Sequence, residues 1–164
     1  MKGMLGLFGV ALISCLPQAS VSKTLSCASE KPDWKVYVDH THGFCFQYPA
    51  AYKPEPDTTK RHGILVIVAE GEIFIWLDKR PFKEERLEEL SRSGNPAVPQ
   101  KIGKLTFYYN GPGGGGVDYS DDYLFDLRGR ILHIEFDGPY IHDNHPSDGI
   151  KKFEPELLAT FRTF

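Results

Sequence analysis

The sequence predicts an α+β domain built on an antiparallel β-sheet with layers on both of its sides. Three observations point there: several stretches alternate apolar and polar residues at period two, two others are apolar at almost every position, and two segments carry a helical apolar stripe. In chain order, "WKVYVDH" (34–40) places Trp34, Val36 and Val38 on one face and predicts a half-buried strand. His42-Gly43 breaks it, and "FCFQY" (44–48) is its hairpin partner, with Phe44, Phe46 and Tyr48 on one face and Cys45 and Gln47 on the other. Pro49 removes a ladder donor, and Pro54 and Pro56 hold the following loop extended.

"GILVIVA" (63–69) and "IFIWL" (73–77), separated by a turn at Glu70-Gly71, predict strands buried on both faces, which requires layers on both sides of the sheet. "FKEERLEELSRSG" (82–94) predicts a surface helix with Leu87 and Leu90 as its apolar stripe and Gly94 as its stop. "KIGKLTFYYN" (101–110) alternates again, and "GPGGGG" (111–116) is a loop. "DYLFDL" (122–127), a turn at Arg128-Gly129 and "RILHIEF" (130–136) form a hairpin. "PELLATFRTF" (155–164) predicts a last helix starting at Pro155, with Leu157, Leu158 and Phe161 on one face.

The chain has 164 residues and 41% hydrophobic content, enough for one domain with a real core, placed at 34–164. Its 19 basic and 22 acidic residues leave no excess charge to grip a phosphate backbone, so nucleic acid is not expected as a partner. Residues 1–14 carry Lys2 and then an apolar run too short to span a bilayer, the pattern of an export signal. Leu12-Ile13-Ser14-Cys15 is similar to the lipobox of bacterial lipoproteins, which implies acylation of Cys15 and a membrane contact only through that lipid anchor. Cleavage near "PQAS" or "SVS" is the competing route. Residues 15–33 are then a tether.

With Cys15 set aside, Cys27 and Cys45 remain as a pair. In an oxidising compartment such a pair is expected to be a disulfide that staples the N-terminal segment to the first core strand; two separate buried thiols are the alternative. The expected location is the periplasm, either free or lipid-anchored.

Catalytic signatures are scarce. There is no G-x-S-x-G, no H-E-x-x-H and no C-x-x-C, and no Gly-Lys-Ser/Thr follows "GPGGGG" to make a P-loop. "DYSDD" (118–122) lacks the EF-hand pattern and reads as a solvated loop. His133 alternates beside Glu135 and reads as a packed histidine. "HDNH" (142–145) suits turn chemistry better than a metal. No catalytic residue, cofactor or metal is therefore assigned. Strand directions bring the loops 111–118 and 137–149 to one end of the sheet, and this end is the expected binding site, built from Asp118, Tyr119, Tyr140, His142, Asp143 and His145. Loops on a rigid scaffold are where function concentrates, and tyrosines supply contact area at small entropic cost.

"HGFCFQYP" resembles the "gF-x-F-x-YP" signature of the Mog1/PsbP-like family, "IGKLTFYY" its later Gly-led strand, and "ELLATFRTF" its closing helix. The Cys27/Cys45 pair and Tyr52, where the family often has Trp, depart from its pattern. The resemblance implies an antiparallel sheet between helices, no shared catalytic residues, and a role among exported lipoproteins or adaptor and assembly proteins. The expected function is thus a non-enzymatic cell-envelope module that binds or assists assembly of another envelope protein. The alternatives are an envelope hydrolase using carboxylates the sequence does not single out, and a small-ligand or metal-binding envelope protein.

Overall fold

The computed structural model describes Cys27 and residues 31–58, 62–68, 71–85, 87, 96–113, 118–141, 145–146 and 148–164. The elements run β1 (Trp34–Asp39), β2 (Phe44–Pro49), β3 (Pro54–Pro56), β4 (Ile64–Val68), β5 (Gly71–Pro81), β6 (Val98–Ile102), β7 (Leu105–Gly113), β8 (Asp118–Leu127), β9 (Arg130–Ile141), β10 (His145–Pro146), α1 (Asp148–Thr160) and β11 (Arg162–Thr163). A small sheet has the order β1-β2-β11. A large one has the order β3-β4-β5-β9-β8-β7-β6, with β10 paired to β9. The ladders are antiparallel.

Alternation along the strands decides what each sheet buries. Phe44, Phe46 and Tyr48 of β2 join Val66, Ile73, Ile75, Phe107, Tyr123, Phe125, Ile134 and Phe136 of the large sheet in one core. Phe161, just past α1, stands at its centre, 5.4 Å from the Phe44 ring, 5.7 Å from Phe125 and 6.1 Å from Phe107. From β1 it is Tyr37 that stacks on this core, 5.1 Å from Phe46, although the stripe Trp34-Val36-Val38 is more apolar in sequence. Trp34 stacks instead on Phe153 of α1 at 5.6 Å. The hairpin β8–β9 turns in two residues, Arg128 and Gly129, both left-handed (φ 56° and 80°), the backbone twist that suits a two-residue hairpin.

The expected sandwich between helices is corrected. Among the described residues there is one α-helix, α1, and together with the small sheet it covers one face of the large sheet. In the expected helix at 82–94, Glu84, Glu85 and Leu87 adopt a 3₁₀ turn, while Arg86 and 88–94 lie outside the described residues. Among the described residues, the second face is covered by apolar side chains: Phe82, Leu87 and Ala97 pack on Leu124, Ile131 and Tyr108. The strand β4 is accordingly buried on one face only, and Ile67 is 53% exposed on the other.

Two boundaries also move. The last helix begins at Asp148 rather than Pro155 and ends at Thr160. Pro155 lies inside it and costs a backbone donor, but Ile150 before it and Leu157 and Leu158 after it are all in the core, so packing holds the helix together across the proline. The strands flanking the glycine loop are longer than expected. Pro112 pairs with Asp121 and Gly113 with Ser120, so much of the expected loop 111–118 and all of "DYSDD" are ladder.

The Cys27–Cys45 disulfide is present, with Cα atoms 6.2 Å apart and a sequence separation of 18. It ties the N-terminal segment to β2, on the strand face opposite Phe44 and Phe46. No helix among the described residues is long and apolar enough to cross a membrane. Residues 1–26, with Cys15, lie outside the described residues.

Candidate functional site

The expected site is best described from the ladder that carries it. The pairing of β8 with β9 continues through Tyr119↔Gly138 to Asp118↔Pro139, and β10 then folds back so that His145 faces Ile141 and Pro146 faces Tyr140. The backbone thus brings Asp118, Tyr119, Tyr140 and His145 to one end of the large sheet. His142 and Asp143 lie outside the described residues. The end is framed by strands with short connections, where two long loops were expected at 111–118 and 137–149.

Below that end, the sheet face turned away from α1 carries a line of buried polar groups. Alternation puts Asp78 and Trp76 of β5, His133 and Glu135 of β9, and Ser120 and Asp122 of β8 on this side. The His133 Nδ1 lies 3.1 Å from Asp122 Oδ2, and its Nε2 lies 3.5 Å from Asp78 Oδ2. Trp76 stacks flat on the imidazole, with centroids 4.4 Å apart and an interplanar angle of 8°. His133 is therefore the packed histidine that its strand position suggests, with Asp122 as partner instead of Glu135. Glu135 accepts a hydrogen bond from Ser120 Oγ at 2.8 Å. Burial alone would raise the Asp78 carboxyl. The Arg80 side-chain and backbone hydrogen bonds, with the Arg80 and His133 charges, more than offset that and hold it at about 2. A histidine between two carboxylates resembles a general base; His133 is 6% exposed, and one of its ring faces is covered by Trp76.

A second polar chain joins α1 to the sheet on the opposite face. Tyr109 Oη donates to Asp121 Oδ1 at 2.6 Å, and Lys151 Nζ donates to Asp121 Oδ2 at 2.6 Å. Lys151 also lies 3.5 Å from Glu154 Oε2, and the Tyr123 hydroxyl donates to Glu154. Burial raises the Tyr123 phenol, and the adjoining Glu154 carboxylate raises it further. Burial likewise raises Glu154; Asp121 adds to the effect, while Tyr123 and Lys151 oppose it. The two consecutive aspartates that read as a solvated loop therefore serve opposite faces, Asp121 binding the helix and Asp122 binding His133. Period-two alternation is the one sequence signal that could have separated them. Among the described residues no group of three or more His, Cys, Asp or Glu is arranged to hold a metal ion.

No known family model matches the chain, and no curated protein matches it. Solved structures do. The solution structure of cyanobacterial PsbP (CyanoP) from Synechocystis sp. PCC 6803 aligns over 85% of this chain and 98% of its own, with a TM-score of 0.54 and 12% identity. The fold is PsbP-like. A crystal structure from Bacteroides thetaiotaomicron VPI-5482 aligns over 80% of this chain with a TM-score of 0.58 and 17% identity, and there the chain spans 49% of the matched protein. At these identities the PsbP-like likeness is one of fold, and it agrees with the resemblance carried by "HGFCFQYP", whose three aromatic residues form the inner face of β2.

Proposed function

We propose that the protein is an exported, non-enzymatic cell-envelope module that binds another envelope protein, or assists its assembly, through the end of the sheet at Asp118, Tyr119, Tyr140 and His145, with His142 and Asp143 between. The observation that supports this reading is the register that brings the backbone of Asp118, Tyr119, Tyr140 and His145 onto the paired strands β8, β9 and β10, a base for a contact surface. The Cys27–Cys45 disulfide supports export. The PsbP-like fold suits an accessory role, in line with the adaptor and assembly proteins that the family resemblance implies. In the proposal Cys15 carries the lipid and residues 15–33 are the tether.

The test is cross-linked capture from cells, comparing the native chain with a Tyr140→Ala/His142→Ala/His145→Ala variant. The expected result is an envelope protein recovered by the native chain and lost from the variant, with the melting temperature nearly unchanged. Equal recovery by both would remove the end of the sheet as the site. Turnover in substrate profiling that a single Asp or Glu substitution abolishes would replace the reading with that of a hydrolase.

A further inference from the structure

A cleft of about 410 Å³ opens at the seam between the two sheets, far along β9 from the end discussed above. Its floor is core: Phe44, Ile64, Ile75 and Leu132, all buried, show through where the small sheet leaves the edge of the large one. Its rim is polar. On one side stand Asp39 and His42, on the other Lys79 and Arg130, with His62 beside them. The volume falls in the range of small-molecule sites, which are typically ~300–1,000 Å³, apolar inside and marked by a few placed polar groups.

The charge of the rim is unbalanced. Asp39 is the one carboxylate that lines the cleft among the described residues, and it is already engaged: Oδ1 accepts the His42 backbone N–H at 2.9 Å, and Oδ2 lies 2.8 Å from His42 Nδ1. Arg130 donates to a neutral acceptor, the Asp78 carbonyl, at 3.2 Å. Lys79 is exposed. Two permanent cations thus face an apolar floor with their charge unmatched by any carboxylate of the lining other than the His42-bound Asp39. His62, a non-glycine residue held at φ 51°, marks the same rim with a backbone conformation that is uncommon outside glycine.

We propose that this cleft binds a small amphiphilic organic anion, a carboxylate whose head group meets Lys79 and Arg130 and whose apolar body lies on Phe44, Ile75 and Leu132. The anion supplies the charge that the rim lacks, and its apolar body leaves water to rest on the apolar floor. This site is separate from the protein-binding end and stands or falls without it.

The protein is titrated by calorimetry with octanoate, with 1-octanol and with octylamine. Octanoate is expected to give a saturable change and octylamine none, with 1-octanol binding more weakly than octanoate. Adding Lys79→Ala and Arg130→Ala should weaken octanoate binding about tenfold or more, the loss of a charge-assisted contact. Lys79→Ala alone, a change at an exposed side chain, should weaken it by a smaller factor and serves if the double variant does not fold. The Tyr140→Ala/His142→Ala/His145→Ala variant should bind octanoate like the native protein. No saturable response to octanoate, equal binding of octylamine, or affinity unchanged by loss of Lys79 and Arg130 would overturn the proposal.

Discussion

The two faces of the large sheet bury comparable amounts of polar chemistry in different ways. Under α1, the polar chain Tyr109–Asp121–Lys151–Glu154–Tyr123 crosses between elements and sits beside an aromatic core centred on Phe161. On the opposite face, Asp122, His133 and Asp78 bond within the sheet and are covered by Trp76 and by a small cluster around Leu124. The first arrangement docks a layer; the second bonds neighbouring strands of one sheet to each other. The larger aromatic core lies on the inner face, so substitutions there are expected to cost more than on the outer face.

The largest expected effect is therefore on the inner face. Phe161→Ala should cost about 3–5 kcal/mol in urea unfolding, since it empties the point where Phe44, Phe107 and Phe125 meet. A loss of under about 1 kcal/mol would mean that the core closes around the gap and that the inner face is not dominant. Next comes the disulfide that ties the small sheet: Cys27→Ser with Cys45→Ser should cost about 3 kcal/mol, measured the same way. On the outer face, Arg80→Ala should cost only about 1 kcal/mol at neutral pH, because the Arg80 side chain is 59% exposed and its pairing with Asp78 is screened.

The smallest effect, and the sharpest contrast, is in pH dependence. Asp78 has a depressed native pKa of about 2, so its contribution is present above the unfolded value near 3.8 and is lost as the pH falls towards 2. Glu154 has a raised native pKa, so its contribution is full below the unfolded value near 4.5 and is lost as the pH rises through the native one. Thermal melts across the acid range should show Arg80→Ala reducing the loss at the low end, and Glu154→Gln reducing the decline towards neutrality. Two variants with the same profile would dissolve the distinction between the faces.

Much of the framework was legible in sequence because it depends on neighbours. Phe44-x-Phe46-x-Tyr48 needs only alternation, and Arg128-Gly129 needs only turn chemistry. The Cys27–Cys45 pair follows from counting once Cys15 is set aside. What was missed depends on distant partners. Asp121 reads as solvent-facing until Lys151, 30 residues on, reaches it. The start of α1 was hidden by Pro155, whose cost is offset by core contacts of Ile150 and Leu157 that no local pattern displays. The second helical layer was inferred from apolar strands, but Ile67 shows that a β-branched stretch records strand preference as much as burial. The cleft at the seam draws its rim from β1, β5 and β9 and has no sequence signature at all.

The most direct test of the proposed role is site-specific photo-cross-linking in cells, with the probe placed at Tyr140 in one strain and at Val98, an exposed position on the edge strand β6, in another. An adduct to one envelope protein from Tyr140, absent or much weaker from Val98, is the result expected of a module that binds through the β8–β9–β10 end. Equal adducts from both positions, or none from Tyr140, would contradict it.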